Sequence, residues 1–268
     1  MLKRADDLYN HVLEAKDGEI GRCKDFLFDD QFWTVRYMLA DTGKWLPGRK
    51  VLISPIWLEE TDSNSQRIRV DLTRDQIENS PPLDEHAPVS RQYETLYANY
   101  FSTFPYWDGA NVWGNHPIPS ELRASRDKLA TEFEGPEESN LRLTREVTGY
   151  HIQAVDGEIG HVEDFIVDDE TWTIRYMIVD TRNWLPGQKV LVSPTWVNSV
   201  DWAEKKAVVE LSQEAVKDSP EFNPSAPVDR RYEARLFDFY GLPKYWEYLG
   251  PDPPKSALGK QKLPDRKL

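Results

Sequence analysis

The chain has 268 residues, of which 39% are apolar, and its formal net charge is -13. That length admits one or two domains with modest cores, and a count of Trp 10, Tyr 12 and Phe 10 means that aromatic rings must fill much of them. The negative charge repels phosphate backbones and argues against generic nucleic-acid binding, and the lone Cys23 excludes a disulfide or paired-thiol site within one chain. No apolar run reaches the roughly 20 residues of a membrane helix and no leader-like pattern opens the chain, so the expectation is a cytoplasmic protein with no membrane-spanning segment.

In chain order, a short extended segment at His11 to Ala15 leads into Asp17-Gly18, a pair suited to a tight hairpin because Gly tolerates positive φ. Glu19 to Phe28 then alternates Ile20, Phe26 and Phe28 on one face, with Gly21 marking a bend or a close backbone approach. Asp29-Asp30 turns the chain into a strand at Trp33 to Asp41. Its aromatic face, Trp33, Val35, Tyr37 and Leu39, is expected to point inward, with Thr34, Arg36, Met38 and Ala40 opposite. Thr42 to Arg49 reads as a loop from Gly43, Pro47 and Gly48, yet it carries Trp45 and Leu46. Further strands are expected at Lys50 to Ser54, Ile56 to Glu60 and Arg67 to Leu72, with Pro55 interrupting the hydrogen bonding. Thr73 to Gln76 has capping-box spacing for a short helix, and Ser90 can cap a second one bearing Tyr93, Leu96, Tyr97 and Tyr100.

The same pattern returns 139 residues later without a gap: DGEIG at Asp17 recurs at Asp156, and WLPG at Trp45 recurs at Trp184. The correspondence continues through Ser80-Pro81, Tyr93-Glu94 and Tyr106-Trp107 to Ser219-Pro220, Tyr232-Glu233 and Tyr245-Trp246. A repeat of about a hundred residues is a whole domain rather than a solenoid unit. The expected division is a first domain over 1–110, a linker over 111–140 with a polar helix at Ser120 to Phe133, a second domain over 141–250, and a flexible tail over 251–268. The tail holds Lys255, Lys260, Lys262, Arg266 and Lys267 and is basic on an acidic chain.

The runs DGEIG, DF, WTIRYMIVDT, WLPG and KVLVSP, from Asp156 to Pro194, resemble the PRC-barrel superfamily, the small barrel named for the photosynthetic reaction centre H-subunit. The first copy carries the same signature. The resemblance implies a mainly β fold with short helices: two tandem six-stranded antiparallel barrels, each followed by C-terminal helical segments. It further implies an adaptor or assembly module without chemistry of its own. The chain departs from the H-subunit in lacking an N-terminal membrane helix. It also lacks the separate N-terminal domain of the ribosome-maturation factor that carries this barrel.

Candidate chemistry is sparse. The acidic pairs Asp29-Asp30 and Asp168-Asp169, with Asp25 and Asp164, read as solvated turn residues, because adjacent strand residues face opposite ways. His11, His86, His116, His151 and His161 keep no common position in the two copies, so no metal and no organic cofactor is expected. Ser54 and Ser193 stand before Pro and not in a nucleophile elbow, and the chain is expected not to be an enzyme. Arg36 and Arg175 are expected to pair with Asp25 and Asp164 on neighbouring strands. The partner-binding candidates are Trp45, Leu46, Trp184 and Leu185, either core plugs or an exposed hot spot. The function expected is protein interaction or assembly with another protein. The alternatives are an RNA- or ribosome-maturation-associated binder, or an enzyme of unknown reaction. The two barrels are expected to pair about a pseudo-twofold axis, and homo-oligomers are compatible with that.

Overall fold

A computed structural model describes residues 1–43, 45–59, 66–84, 88–125, 139–181 and 188–247. They form two compact units whose membership is interleaved along the chain. One comprises Ala5–Glu146 with Asp168–Thr173, and the other Met1–Arg4, Val147–Val167 and the chain from Ile174 onward.

The unit built mainly from the first repeat holds a six-stranded sheet. Strands β2 (Val12–Ala15) and β3 (Gly18–Asp29) form the hairpin expected at Asp-Gly, with Ala15 opposite Gly18. On the far side of β3 lie β4 (Thr34–Asp41) and β5 (Lys50–Ile53), while β6 (Arg67–Arg69) runs parallel to β2. The C-terminal half of β3 takes a sixth strand, β7 (Leu141–Leu143), from the segment that opens the second repeat. Two short helices, α1 (Ala5–Leu8) and α2 (Arg74–Glu78), flank the sheet, and α2 starts in the capping box expected at Thr73 and Gln76. Helix α3 (Arg91–Tyr100) is capped by Ser90 and lays Tyr97 against Tyr37, with ring centroids 5.2 Å apart, in its own unit.

The other unit repeats this plan in a seven-stranded sheet. Its path is β11 (Lys189–Val192), β10 (Ile174–Asp180), β9 (Glu158–Asp168), β8 (His151–Gln153), β13 (Lys206–Val209) and β12 (Val197–Asp201). β1 (Leu2–Arg4), from the start of the chain, joins β9. Of α5 (Thr144–Val147), the residues up to Glu146 belong to the unit of the first repeat. After α6 (Gln213–Lys217), helix α7 (Arg230–Tyr240) is capped by Asp229 and ends at Gly241, whose φ of 65° suits the left-handed C-cap. The opening strands are thus exchanged: each unit is completed by the segment that precedes the other repeat.

The expectation of two six-stranded antiparallel barrels is corrected in three respects. Both sheets are mixed, since β2 and β6, and likewise β8 and β13, run parallel. The strand count differs between them, and among the described residues neither closes into a barrel. The physical reason lies at Ser-Pro: Pro55 and Pro194 cannot donate to a ladder, and each opens a 3-10 turn, Pro55–Trp57 and Pro194–Trp196, that carries the chain away from β5 or β11. The strand expected from Ile56 is therefore a 3-10 turn followed by a single bridge between Leu58 and Val70. β4 also departs from expectation, because Thr34, Arg36 and Met38 are as buried as Val35 and Tyr37. The polar helix expected from Ser120 is α4 (Pro119–Ser125), and residues 126–138 lie outside the described residues.

Candidate functional site

The loop between β4 and β5 is set by its backbone. Gly43 and Gly48 have φ of 55° and 76°, conformations that side chains disfavour. The Thr42 Oγ1 lies 2.7 Å from the Leu46 carbonyl and 2.5 Å from that of Arg49, sharing its one proton between them. Arg49 in turn donates to the carbonyls of Glu78 and Ser80 at 2.5 and 2.8 Å, which ties the loop to the end of α2. Close to the loop's root, a Cβ on Gly21 would sit 2.0 Å from the Asp41 carbonyl, and one on Gly160 would sit 2.0 Å from that of Asp180. This is the close approach that the repeated glycine indicated.

On this frame Trp45 and Leu46 are both half-buried, so neither is a sealed plug nor a free tip. The Arg74 guanidinium lies 4.8 Å from the centre of the Trp45 ring, at the distance of a cation–π contact. Trp45 also lines an open groove of about 430 Å³, whose wall includes Glu19, Arg22, Lys24 and Asp41. Its charges are mixed and exposed or half-exposed, unlike a convergent catalytic set. Trp184 and Leu185, the counterparts in the second repeat, lie outside the described residues.

Of the remaining candidates, Asp25, Asp29, Asp164 and Arg36 are buried, while Asp30, Asp168, Asp169 and Arg175 are half-buried. Asp29 and Asp25 are 4% and 5% exposed, which overturns their reading as solvated turn residues. Asp29 receives the Arg36 Nε at 2.5 Å and the Phe32 amide at 2.6 Å. Asp25 accepts the Thr144 hydroxyl at 2.6 Å as well as the amides of Phe26 and Arg145. Burial nevertheless pushes its carboxyl above the ordinary carboxylate range. The expected Arg36–Asp25 pair is therefore an Arg36–Asp29 pair, because Arg36 turns toward the β3 end rather than across to Asp25. Asp164 takes Arg4 of β1 at 3.0 Å. Arg175 lies over the Tyr245 ring at 4.1 Å.

A duplicated cluster that the sequence left unconnected surrounds these arginines. In the first repeat Arg36 sits 4.0 Å from the Tyr106 ring centre, and Arg91 sits 4.2 Å from that of Trp107. Buried Glu94 accepts the Tyr106 hydroxyl at 2.7 Å, Ser139 at 2.9 Å and Arg91 at 3.0 Å. In the second repeat Arg230 sits 4.3 Å from Trp246, while Glu233 accepts Tyr176 at 2.9 Å, Tyr245 at 2.8 Å and Arg230 at 3.1 Å. Each carboxylate is thus consumed by three donors. The cluster holds the Tyr-Trp segment on its helix and leaves no free acid or base. The signal was present in the sequence as Arg36, Arg91, Glu94 and Tyr106, each matched 139 residues on.

Among the described residues no group of three His, Cys, Asp or Glu could hold a metal ion, and no helix is long and apolar enough to cross a membrane. Compared with known families, residues 143–216 match the PRC-barrel domain. No curated protein matches the chain.

Proposed function

We propose that the chain is a non-catalytic module for protein interaction or assembly, built as two PRC-type domains in tandem. The observation that carries this reading is the loop from Thr42 to Arg49. Its backbone is held by Thr42 and Arg49, yet Trp45 and Leu46 are only half-buried, and Trp45 lines a groove. A rigid aromatic anchor in a pre-organised loop loses little entropy on binding, which is the property of an interface hot spot. Two further features support the reading: the buried acids and arginines are engaged by one another, and the matched family is one of adaptor modules by resemblance. Trp184 and Leu185 complete the proposal by analogy of sequence, giving a repeated partner two similar anchors.

The test is photo-crosslinking from position 47, exposed beside the anchor, in the native cell, first with Trp45 in place and then in Trp45→Ala. The expected result is one dominant protein adduct, with capture by Trp45→Ala reduced at least about tenfold, the scale of a hot spot worth over about 1.4 kcal/mol. The variant's near-ultraviolet spectrum should be unchanged apart from the lost Trp. Undiminished capture, or global unfolding of Trp45→Ala, overturns the assignment of this loop as the contact.

A further inference from the structure

In the second repeat two histidines face each other across β8 and β9. The antiparallel register sets His151 opposite His161. The Val162 amide donates to the Tyr150 carbonyl at 2.8 Å, and the His151 amide turns the other way, to the Lys205 carbonyl at 2.9 Å. His151 and His161 are therefore a pair of the kind that exchanges no backbone bonds, in which the Cα atoms approach to about 4.5 Å and both side chains leave the sheet on one face. That face is the outer one. Ile152 and Val162, the next residues on each strand, are buried, whereas His161 is half-buried and His151 exposed.

The two rings are prepared differently. Nδ1 of His151 lies 2.9 Å from a Glu158 carboxylate oxygen. A carboxylate only accepts, so Nδ1 carries the proton and the lone pair of the neutral ring is left on Nε2. This is the outer carboxylate contact that orients an imidazole toward a metal ion. The His161 imidazole makes no hydrogen bond to any described residue. Beyond the pair, Lys206 stands in register with His151 and Asp180 with His161, so the flanking charges offset each other. In the first repeat the same two positions are Val12 and Arg22, also opposite each other, and neither side chain is a metal ligand.

We propose that His151 and His161 chelate one divalent transition-metal ion of the imidazole-preferring kind, zinc being the simplest, with Glu158 holding His151 in the binding tautomer. Nitrogen ligands about 2.0–2.1 Å from a tetrahedral zinc stand roughly 3.3 Å apart, which rings on Cβ atoms about 4.5–5.5 Å apart reach by rotation. Among the described residues no group of three His, Cys, Asp or Glu forms a closed site, so water fills the remaining positions and the ion exchanges freely. Ten positions separate the two residues along the chain, and the expectation of no metal rested on that linear spacing; the sheet brings them together.

The test titrates zinc chloride into the untagged full chain while the imidazole proton resonances are followed, with magnesium chloride as the oxygen-preferring control. His151 and His161 are expected to shift together along one saturating curve, and magnesium is expected to move neither. His151→Val and His161→Arg install the residues of the first repeat on the outer face. Each alone should weaken zinc binding at least about tenfold, because either one leaves a single imidazole and abolishes the chelate. A zinc response confined to one of the two rings, or shared equally with His11 and His116, overturns the proposal. So does full affinity in either single variant, and the wild-type titration decides by itself should a variant fail to fold.

Discussion

The two copies of the Arg–aromatic–Glu cluster use the same residue types at the same offsets, yet they are sealed to different degrees. Arg91 has a side chain 8% exposed, and its counterpart Arg230 is 56% exposed. The first copy is covered by the segment after Trp107: Val112 supplies a carbonyl to Arg36 at 2.5 Å, and Trp113, 1% exposed, places its ring 4.8 Å from the Arg36 guanidinium. Arg36 is consequently a buried cation whose Nη2 makes no hydrogen bond and rests among aromatic faces instead. Arg175 is half-buried. The lesson is that a motif does not fix its own energetics. What covers it decides whether removing a charge strands its partner in low dielectric or merely exposes it to water.

The largest expected effect breaks the covered copy. Arg36→Ala leaves Asp29 buried without its cation and should cost about 3–5 kcal/mol. Arg175→Ala should cost clearly less, and denaturant unfolding of both variants measures the gap. Equal losses would mean that the covering segment is energetically irrelevant. Next in size is the pair Arg91→Ala and Arg230→Ala. The first removes a buried donor from Glu94 and should cost about 1–3 kcal/mol, while the second, largely solvated, should cost no more than about 1 kcal/mol.

The smallest effect sharpens the comparison through pH. Burial raises the Glu94 carboxyl above its ordinary value of 4.5, against the opposing pull of Arg91 and of the donors Tyr106 and Ser139. Since the folded-state pKa is the higher one, the folded protein holds this proton more tightly than the unfolded chain. The resulting stabilisation is complete below the unfolded value and is lost as pH rises through the folded one. Wild type should therefore lose stability relative to Glu94→Gln as pH rises from about 4 through that folded value. A stability difference independent of pH would contradict the assignment, and carbon-detected titration of the Glu94 carboxyl would show the shift directly.

Much of the local structure was legible because it depends on neighbours in sequence. Asp17-Gly18 made its hairpin, Thr73 and Gln76 made their box, and Ser90 and Asp229 capped their helices. Gly21 could be read as a close approach, although only the fold identifies the Asp41 carbonyl as the atom approached. The parallel pairing of β6 on β2 was not legible, because a strand of three residues carries no signal of its direction. The partners of Arg36 were missed for a related reason. Alternation assigns a residue to a face of the sheet, but Asp29 comes from the end of β3, and Tyr106 and Val112 from a stretch distant in sequence. Trp45 was expected to be either a core plug or an exposed contact, and it is half-buried.

The exchanged opening strands carry a consequence for how the chain is made. Residues at the very start are held by partners synthesised far later, as the Arg4–Asp164 bond across 160 positions illustrates. The sheet of the first repeat likewise waits for Leu141–Leu143, and Asp25 waits for Thr144, 119 positions on. A ribosome adding about 5–20 residues per second would therefore expose an unfinished β3 edge for several seconds before its last strand emerges. Such an edge invites pairing with a neighbouring nascent chain. Slow closure of long loops also places this protein among the later-folding topologies for its size. Interrupted translation should consequently be more harmful before residues 141–147 have emerged from the ribosome than after, and protease sensitivity of chains stalled at lengths on either side of that point would display the difference.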